Sequence, residues 1–215
     1  MSLLSQFKQH IYVINLERRP DRWNEVQIEM ARAGITEYKR FNGIDGQTMD
    51  LASMGRVIPV DPRYHTKEIL GHIGCSLSHR GVLQDAILNN ADMYAVIEDD
   101  IAFVENFDTV FDECMADVPK DWDCIMLGGS HVSRTERITT RVIKTWGSYT
   151  THGLLINKSF YEKLLAIWEF SLEVDVAISS LHATNNVYAF NPPLAWQRAG
   201  YSDILCKHDD YKHLR

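Results

Sequence analysis

The sequence has no long apolar run. Its longest uninterrupted apolar stretches are five residues, at 93–97 and 164–168, against the roughly 20 that a membrane-spanning helix needs. The opening MSLLSQFKQH lacks the apolar core of about 7–15 residues that marks a secretory signal. The four cysteines, Cys75, Cys114, Cys124 and Cys206, form no C-x-x-C pair. No zinc-finger spacing links them to histidine, so the pattern points to reduced, buried thiols and away from a disulfide framework or a structural zinc. Internal repeats, low-complexity tracts and linkers are also absent. Nor is there a basic excess: 22 Lys and Arg stand against 29 Asp and Glu, a net charge of −7. That balance argues against a general nucleic-acid or anionic-membrane binder. The expected location is the cytoplasm or, peripherally, the inner face of a membrane.

What is present is a chain of 215 residues, 45% of them apolar. A chain of this length buries roughly 70–75% of its unfolded surface and folds without a staple. IYVIN at 11–15 reads as a strand. PDRWNEVQIEMARAG follows, with Pro20 suited to a first helical turn, Gly34 to a stop, and Trp23, Val26, Met30 and Ala33 on one face. A strand at 38–41 completes a strand–helix–strand opening. Residues 42–67 hold three glycines and two prolines without a sustained period, which predicts a long functional loop. Helices are expected at 71–90, 107–116 and 160–170, the last with Ser159 and Glu162 as a capping box. A shorter helical piece follows Asp175. Strands are expected at 93–97, 101–104, 124–127, 141–146, 150–156 and 187–190. The polar tail KHDDYKHLR reads as fraying. The sum is an α/β domain with a parallel core.

Glu98-Asp99-Asp100 stands directly after a buried strand. Neighbouring carboxylates repel and raise one another's pKa. If the extended alternation continues, Glu98 and Asp100 share a side, where two oxygens suit a hard divalent cation such as Mn²⁺ or Mg²⁺. Open α/β sheets bind ligands outside the carboxyl ends of their strands. Such a cation would let an acidic protein hold an anionic nucleotide. Arg18, Arg19 and Arg22 follow the first strand beside a helix N-terminus, where arginines can grip phosphate.

IYVINLERRPDRW, GHIGCSLSHRGVLQDAI and AVIEDDI, in that order, resemble glycosyltransferase family 25. This group comprises lipopolysaccharide and lipooligosaccharide glycosyltransferases and includes collagen galactosyltransferases. DWDCIMLGG, THGLLINKSFYEKLL, VDVAI and PPLAWQRAGYSDI extend the likeness over residues 11–204. The resemblance implies a GT-A type fold in one domain spanning 1–215: a Rossmann-like nucleotide-binding sheet in a donor half (about 1–105), joined to an acceptor-binding half (about 106–215). It implies an inverting enzyme using UDP-sugars, often UDP-galactose, and a glycan or glycolipid acceptor such as lipopolysaccharide. Asn15, Leu16 and Arg18 match the family's opening block and are expected against the nucleotide. Glu98, Asp99 and Asp100 match its acidic donor motif, with Glu98 and Asp100, or Asp99 in place of Glu98, as the expected metal ligands, although E-D-D replaces D-x-D. Asp175 matches the general base, a role that an N-cap Asp also accommodates. His79 is expected at the donor, His152 and Asp203 on the acceptor side, and His208 in the metal shell, with His213 a further tail candidate. Trp146 and Trp196 offer aromatic platforms. Two other readings stay open: a non-catalytic binding domain on the same fold, and a phosphohydrolase of nucleotide-sugars.

Overall fold

In a computed structural model, described for residues 7, 10–50, 65–167 and 173–212, the chain builds a sheet with helices on both faces. Strand β1 (Ile11–Leu16) leads into α1 (Pro20–Arg32) and β2 (Lys39–Gly43), the expected opening unit. After the long helix α2 (Thr66–Leu88) come β3 (Met93–Glu98), β4 (Ile101–Phe103), α3 (Phe107–Ala116) and β5 (Cys124–Met126). The second half runs through the short strands β6 (Ser130–His131) and β7 (Thr135–Arg137), then β8 (Val142–Thr145), β9 (Ser148–Tyr149) and β10 (Gly153–Asn157). Helices α4 (Tyr161–Ile167) and α5 (Val174–Ser180) precede β11 (Val187–Phe190), β12 (Ala195–Gln197), β13 (Gly200–Ser202) and β14 (Lys207–Asp209).

The main sheet has eight strands in the order β2-β1-β3-β10-β5-β11-β8-β7. The core is mixed, not parallel as the sequence suggested. Strand β1 pairs in parallel with β2 and β3, but β10 lies antiparallel between β3 and β5. Continuous apolar strands such as GLLIN cannot distinguish the two directions, because both faces are buried either way. The reversal matters for function. The carboxyl ends of β1, β2 and β3 share one edge of the sheet, and the antiparallel β10 brings its amino end there too, with Gly153 opposite Ile97.

Alternation divides the core. Ile11, Val13, Ala95 and Ile97 pack on one face with Val26 and Met30 of α1 and with Phe107 and Phe111 of α3. Tyr12, Tyr94 and Val96 pack on the other with Val82 and Leu83 of α2, Leu164 of α4 and Ile178 of α5. Helix α2 starts earlier than expected, so the loop before it is shorter; its residues 51–64 lie outside the described residues. The remainder is held tightly against α2. A Cβ on Gly46 would stand 1.7 Å from the Leu70 carbonyl oxygen, and one on Gly74 2.5 Å from that of Ile44. Backbone approach this close leaves room only for glycine.

Three local expectations change. Asn157, not Ser159, caps the turn before α4, accepting from the Ser159 N–H at 3.4 Å, because the Ser159 hydroxyl is drawn 2.6 Å to Asp123. Residues 168–170 of the expected helix lie outside the described residues. Glu173, not Asp175, is the N-cap of α5, which places Asp175 inside the first turn. The tail folds back: β14 pairs with β13, and Tyr211 is buried.

His182 is fully buried and neither ring nitrogen has a hydrogen-bond partner among the described residues. Burial, with His131 nearby, pushes its pKa down to about 4, so the fold admits the neutral ring only. Stability is therefore complete above the unfolded value near 6.5 and lost as pH falls from there towards 4. His182→Leu removes this proton uptake. Urea unfolding between pH 7 and pH 4 is expected to cost the wild type about 3 kcal/mol more than the variant; parallel profiles would contradict the burial argument.

Candidate active site

A cleft of about 270 Å³ opens at the edge where β1, β2, β3 and the start of β10 meet. Glu98, Asp99 and Asp100 form its floor, and each carboxylate is held differently. The strand ends at Glu98 and Asp99-Asp100 make a turn, so the alternation expected to reach Asp100 stops at the strand end. Glu98 accepts from the Thr151 hydroxyl at 2.7 Å and faces His79 Nε2 at 3.1 Å. Burial pushes the Glu98 pKa up, but the bonds from His79 and Thr151 outweigh it and leave it below the usual value. The antiparallel direction of β10 makes this possible, since Glu98 N–H donates to the His152 carbonyl at 3.0 Å and so places Thr151 alongside.

Asp99 accepts from Asn15 Nδ2 at 2.6 Å and from Arg22 at 2.7 Å. Burial still raises its pKa, against the pull of Arg22 and Asn15. Asp100 is supported least. Its Oδ2 is 3.5 Å from Arg22 and 3.4 Å from Gln197 Nε2, and its Oδ1 is buried with no hydrogen-bond partner among the described residues. Burial, reinforced by Glu98 and Asp99 and opposed by Arg22, pushes its pKa up to about 7. An unsatisfied buried carboxylate oxygen is costly. In a set of oxygen donors, it is the position that a hard cation would complete.

Asn15 is buried at the end of β1, where Nδ2 also donates to the Arg19 carbonyl and Oδ1 accepts from Arg40. Leu16 lines the cleft. Arg18 stands at the mouth with its side chain 43% exposed, already paired with Asp45 at 2.5 Å and Asp203 at 2.7 Å. Arg19 also pairs with Asp203. The arginine cluster is therefore matched by carboxylates, one of them, Asp45, unforeseen from sequence. Asp175 reaches the same cleft from α5. Its Oδ2 accepts from Thr150 N–H at 3.1 Å and its Oδ1 from Val176 N–H at 2.8 Å. Thr150 sits at φ 75°, where a β-branched residue is strained.

Other expected residues fall elsewhere. His152 is fully buried, with Nε2 3.2 Å from the Ala195 carbonyl, and does not line the cleft. Burial lowers its pKa. His208 lies exposed on β14 with its ring against Tyr201 and is not among the lining residues. His213 lies outside the described residues. Trp146 carries Arg134 over its ring at 4.0 Å, and Trp196 is half-buried in β12. Cys75, Thr150, Thr151, Gln197 and Tyr211 line the cleft without having been singled out. Only the folded chain brings them beside the acidic turn.

The sequence matches the family described as "Glycosyltransferase family 25 (LPS biosynthesis protein)" over residues 8–178. The chain belongs to glycosyltransferase family 25. It is 30% identical over 168 residues to a "Glycosyltransferase 25 family member" of Aedes aegypti, covering 73% of this chain and 28% of that protein. It is 29% identical over 169 residues to "Procollagen galactosyltransferase 2" of Mus musculus, covering 72% and 27%. It is 28% identical over 173 residues to the "Probable inactive glycosyltransferase 25 family member 3" of Bos taurus, covering 73% and 28%. The chain thus spans little more than a quarter of these relatives. No helix among the described residues of this family member is long and apolar enough to cross a membrane.

In the metal-free protein the Asp100 charge is a liability to the fold. Asp100→Asn is expected to stabilise it at pH 8 by about 1–3 kcal/mol in urea unfolding. A loss of stability would mean that the carboxylate is already satisfied.

Proposed function

We propose that this family-25 domain is a metal-dependent, inverting glycosyltransferase of GT-A type. It would move a hexose, galactose favoured, from a UDP-sugar to a glycan acceptor such as lipopolysaccharide. The observation that carries the reading is the charge of the cleft: among the described residues, six carboxylates (Asp45, Glu98, Asp99, Asp100, Asp175 and Asp203) line it with two arginines, Arg18 and Arg22. A surface so acidic repels a diphosphate unless a cation is seated with it. The oxygen-only set Asp99 and Asp100, with Glu98 beside it, suits Mn²⁺ or Mg²⁺, and Asp100 Oδ1, which has no hydrogen-bond partner among the described residues, would be a ligand to it. Bound there, such an ion supplies charge stabilisation for the departing diphosphate.

The chain's own residues do the rest. Arg18 meets the donor phosphates at the mouth by exchanging its pairing with Asp45 and Asp203 for phosphate oxygens. Asn15 and Arg22 fix the acidic turn. Asp175, oriented by its two backbone N–H donors, takes the proton of an acceptor hydroxyl. The acceptor oxygen then forms its bond to the anomeric carbon on the face opposite the leaving UDP, whose bond to that carbon breaks. Donor contacts come from residues within about 1–105 and the base from the 106–215 half. The name of the mouse relative favours galactose. That of the bovine relative keeps a non-catalytic domain as the competing outcome.

The test is a panel of UDP-galactose, UDP-glucose and UDP-N-acetylglucosamine with lipopolysaccharide acceptor, with Mn²⁺ or EDTA. Metal-dependent UDP release that needs acceptor supports transfer, whereas release without acceptor would indicate a hydrolase. Asp175→Asn is expected to retain donor binding and to lose about 10²-fold or more in turnover. No metal-dependent binding or release with any donor would overturn the proposal.

A further inference from the structure

One wall of the cleft carries a donor set of a different chemical kind. Cys75 and His79 are four residues apart on α2, so their side chains share a face, and that face meets the end of β3. The Cys75 thiol, the His79 ring and the Glu98 carboxylate each offer one ligand atom, and all three atoms lie within 4.8 Å of one another. His79 Nε2 and Glu98 Oε1 are already 3.1 Å apart, close to the edge of a tetrahedron with metal–ligand bonds of about 2 Å. A zinc ion held by all three would draw the thiol to a Zn–S bond of about 2.3 Å. All three residues line the cleft, which leaves a fourth position open towards solvent.

We propose that Cys75, His79 and Glu98 form a zinc site of three protein ligands and one open position, separate from the oxygen-only site at Asp99 and Asp100. Sulfur and imidazole select a thiophilic, borderline ion, while Mn²⁺ and Mg²⁺ prefer oxygen. Binding sends the thiol proton to solvent, and His79 Nε2 gives up the proton it shares with Glu98, the neutral ring then carrying its proton on Nδ1. The proposal goes beyond the glycosyltransferase reading and does not require it. Glu98 adjoins both sites, since zinc would hold it on the side where His79 and Thr151 hold it now.

Cobalt(II) is the probe, because a thiolate bound to it gives a near-ultraviolet charge-transfer band that oxygen ligands do not. The wild type should show this band, and stoichiometric zinc should abolish it. Cys75→Ser should lose the band and weaken zinc binding by at least about 100-fold. Cys206→Ser should keep both. Asp100→Asn should also keep the band, which separates this site from the proposed donor site. Should the Cys75 variant not fold, the wild type suffices: zinc should protect Cys75 from alkylation, read by peptide mass. No band in the wild type, a band that survives Cys75→Ser, or equal alkylation of Cys75 with and without zinc would overturn the proposal.

Discussion

Three consecutive carboxylates at the end of a central strand, Glu98 half-buried and Asp99 and Asp100 buried, are the constraint around which this domain is arranged. The chain compensates two of them. Glu98 is held by Thr151 and His79, and Asp99 by Asn15 and Arg22. Asp100 keeps a buried oxygen with no partner among the described residues. A buried ion pair stabilises only when its remaining lone pairs are satisfied, and here they are not. The imbalance is local, because the hydrophobic faces around it, from Val13 and Ile97 to Phe111, are closed.

Much of the fold follows from delivering those partners. Parallel pairing of β1 with β3 brings Asn15 to Asp99. The antiparallel β10 brings Thr151 to Glu98, which a fully parallel sheet would not. Gly46 and Gly74 let α2 lie against the 44–46 turn, so that His79 reaches the acidic turn from above the sheet. The cost of Thr150 at φ 75° is borne where its N–H holds Asp175, in keeping with strain gathering at functional sites.

The strand–helix–strand opening and the acidic residues at a strand end were legible because each is a local pattern: alternation, a proline at a first turn, charges after an apolar run. Asp175 came from the family resemblance, and its capping role belongs to Glu173. The direction of β10 was not, since GLLIN is apolar on both faces and pairs either way. His152 shows the limit of motif reading, for a histidine at a strand start can face the cleft or the core, and here it is buried against Ala195. Arg18 shows another. Its position at the cleft was legible, but not its neutralisation by Asp45 and Asp203, which lie 27 and 185 residues away. Cys75 and His79 share a face of α2 by their spacing, but Glu98 joins them only through packing between α2 and β3, which spacing could not show.

The central claim is that the acidic turn is an incomplete cation site. Manganese titration followed by electron paramagnetic resonance of the unbound ion tests it directly, with and without UDP. The account predicts one ion bound per wild-type chain, held more tightly when UDP is present, and a loss of that binding in Asp100→Asn. Equal manganese binding by wild type and Asp100→Asn, or none by the wild type with UDP, would contradict it.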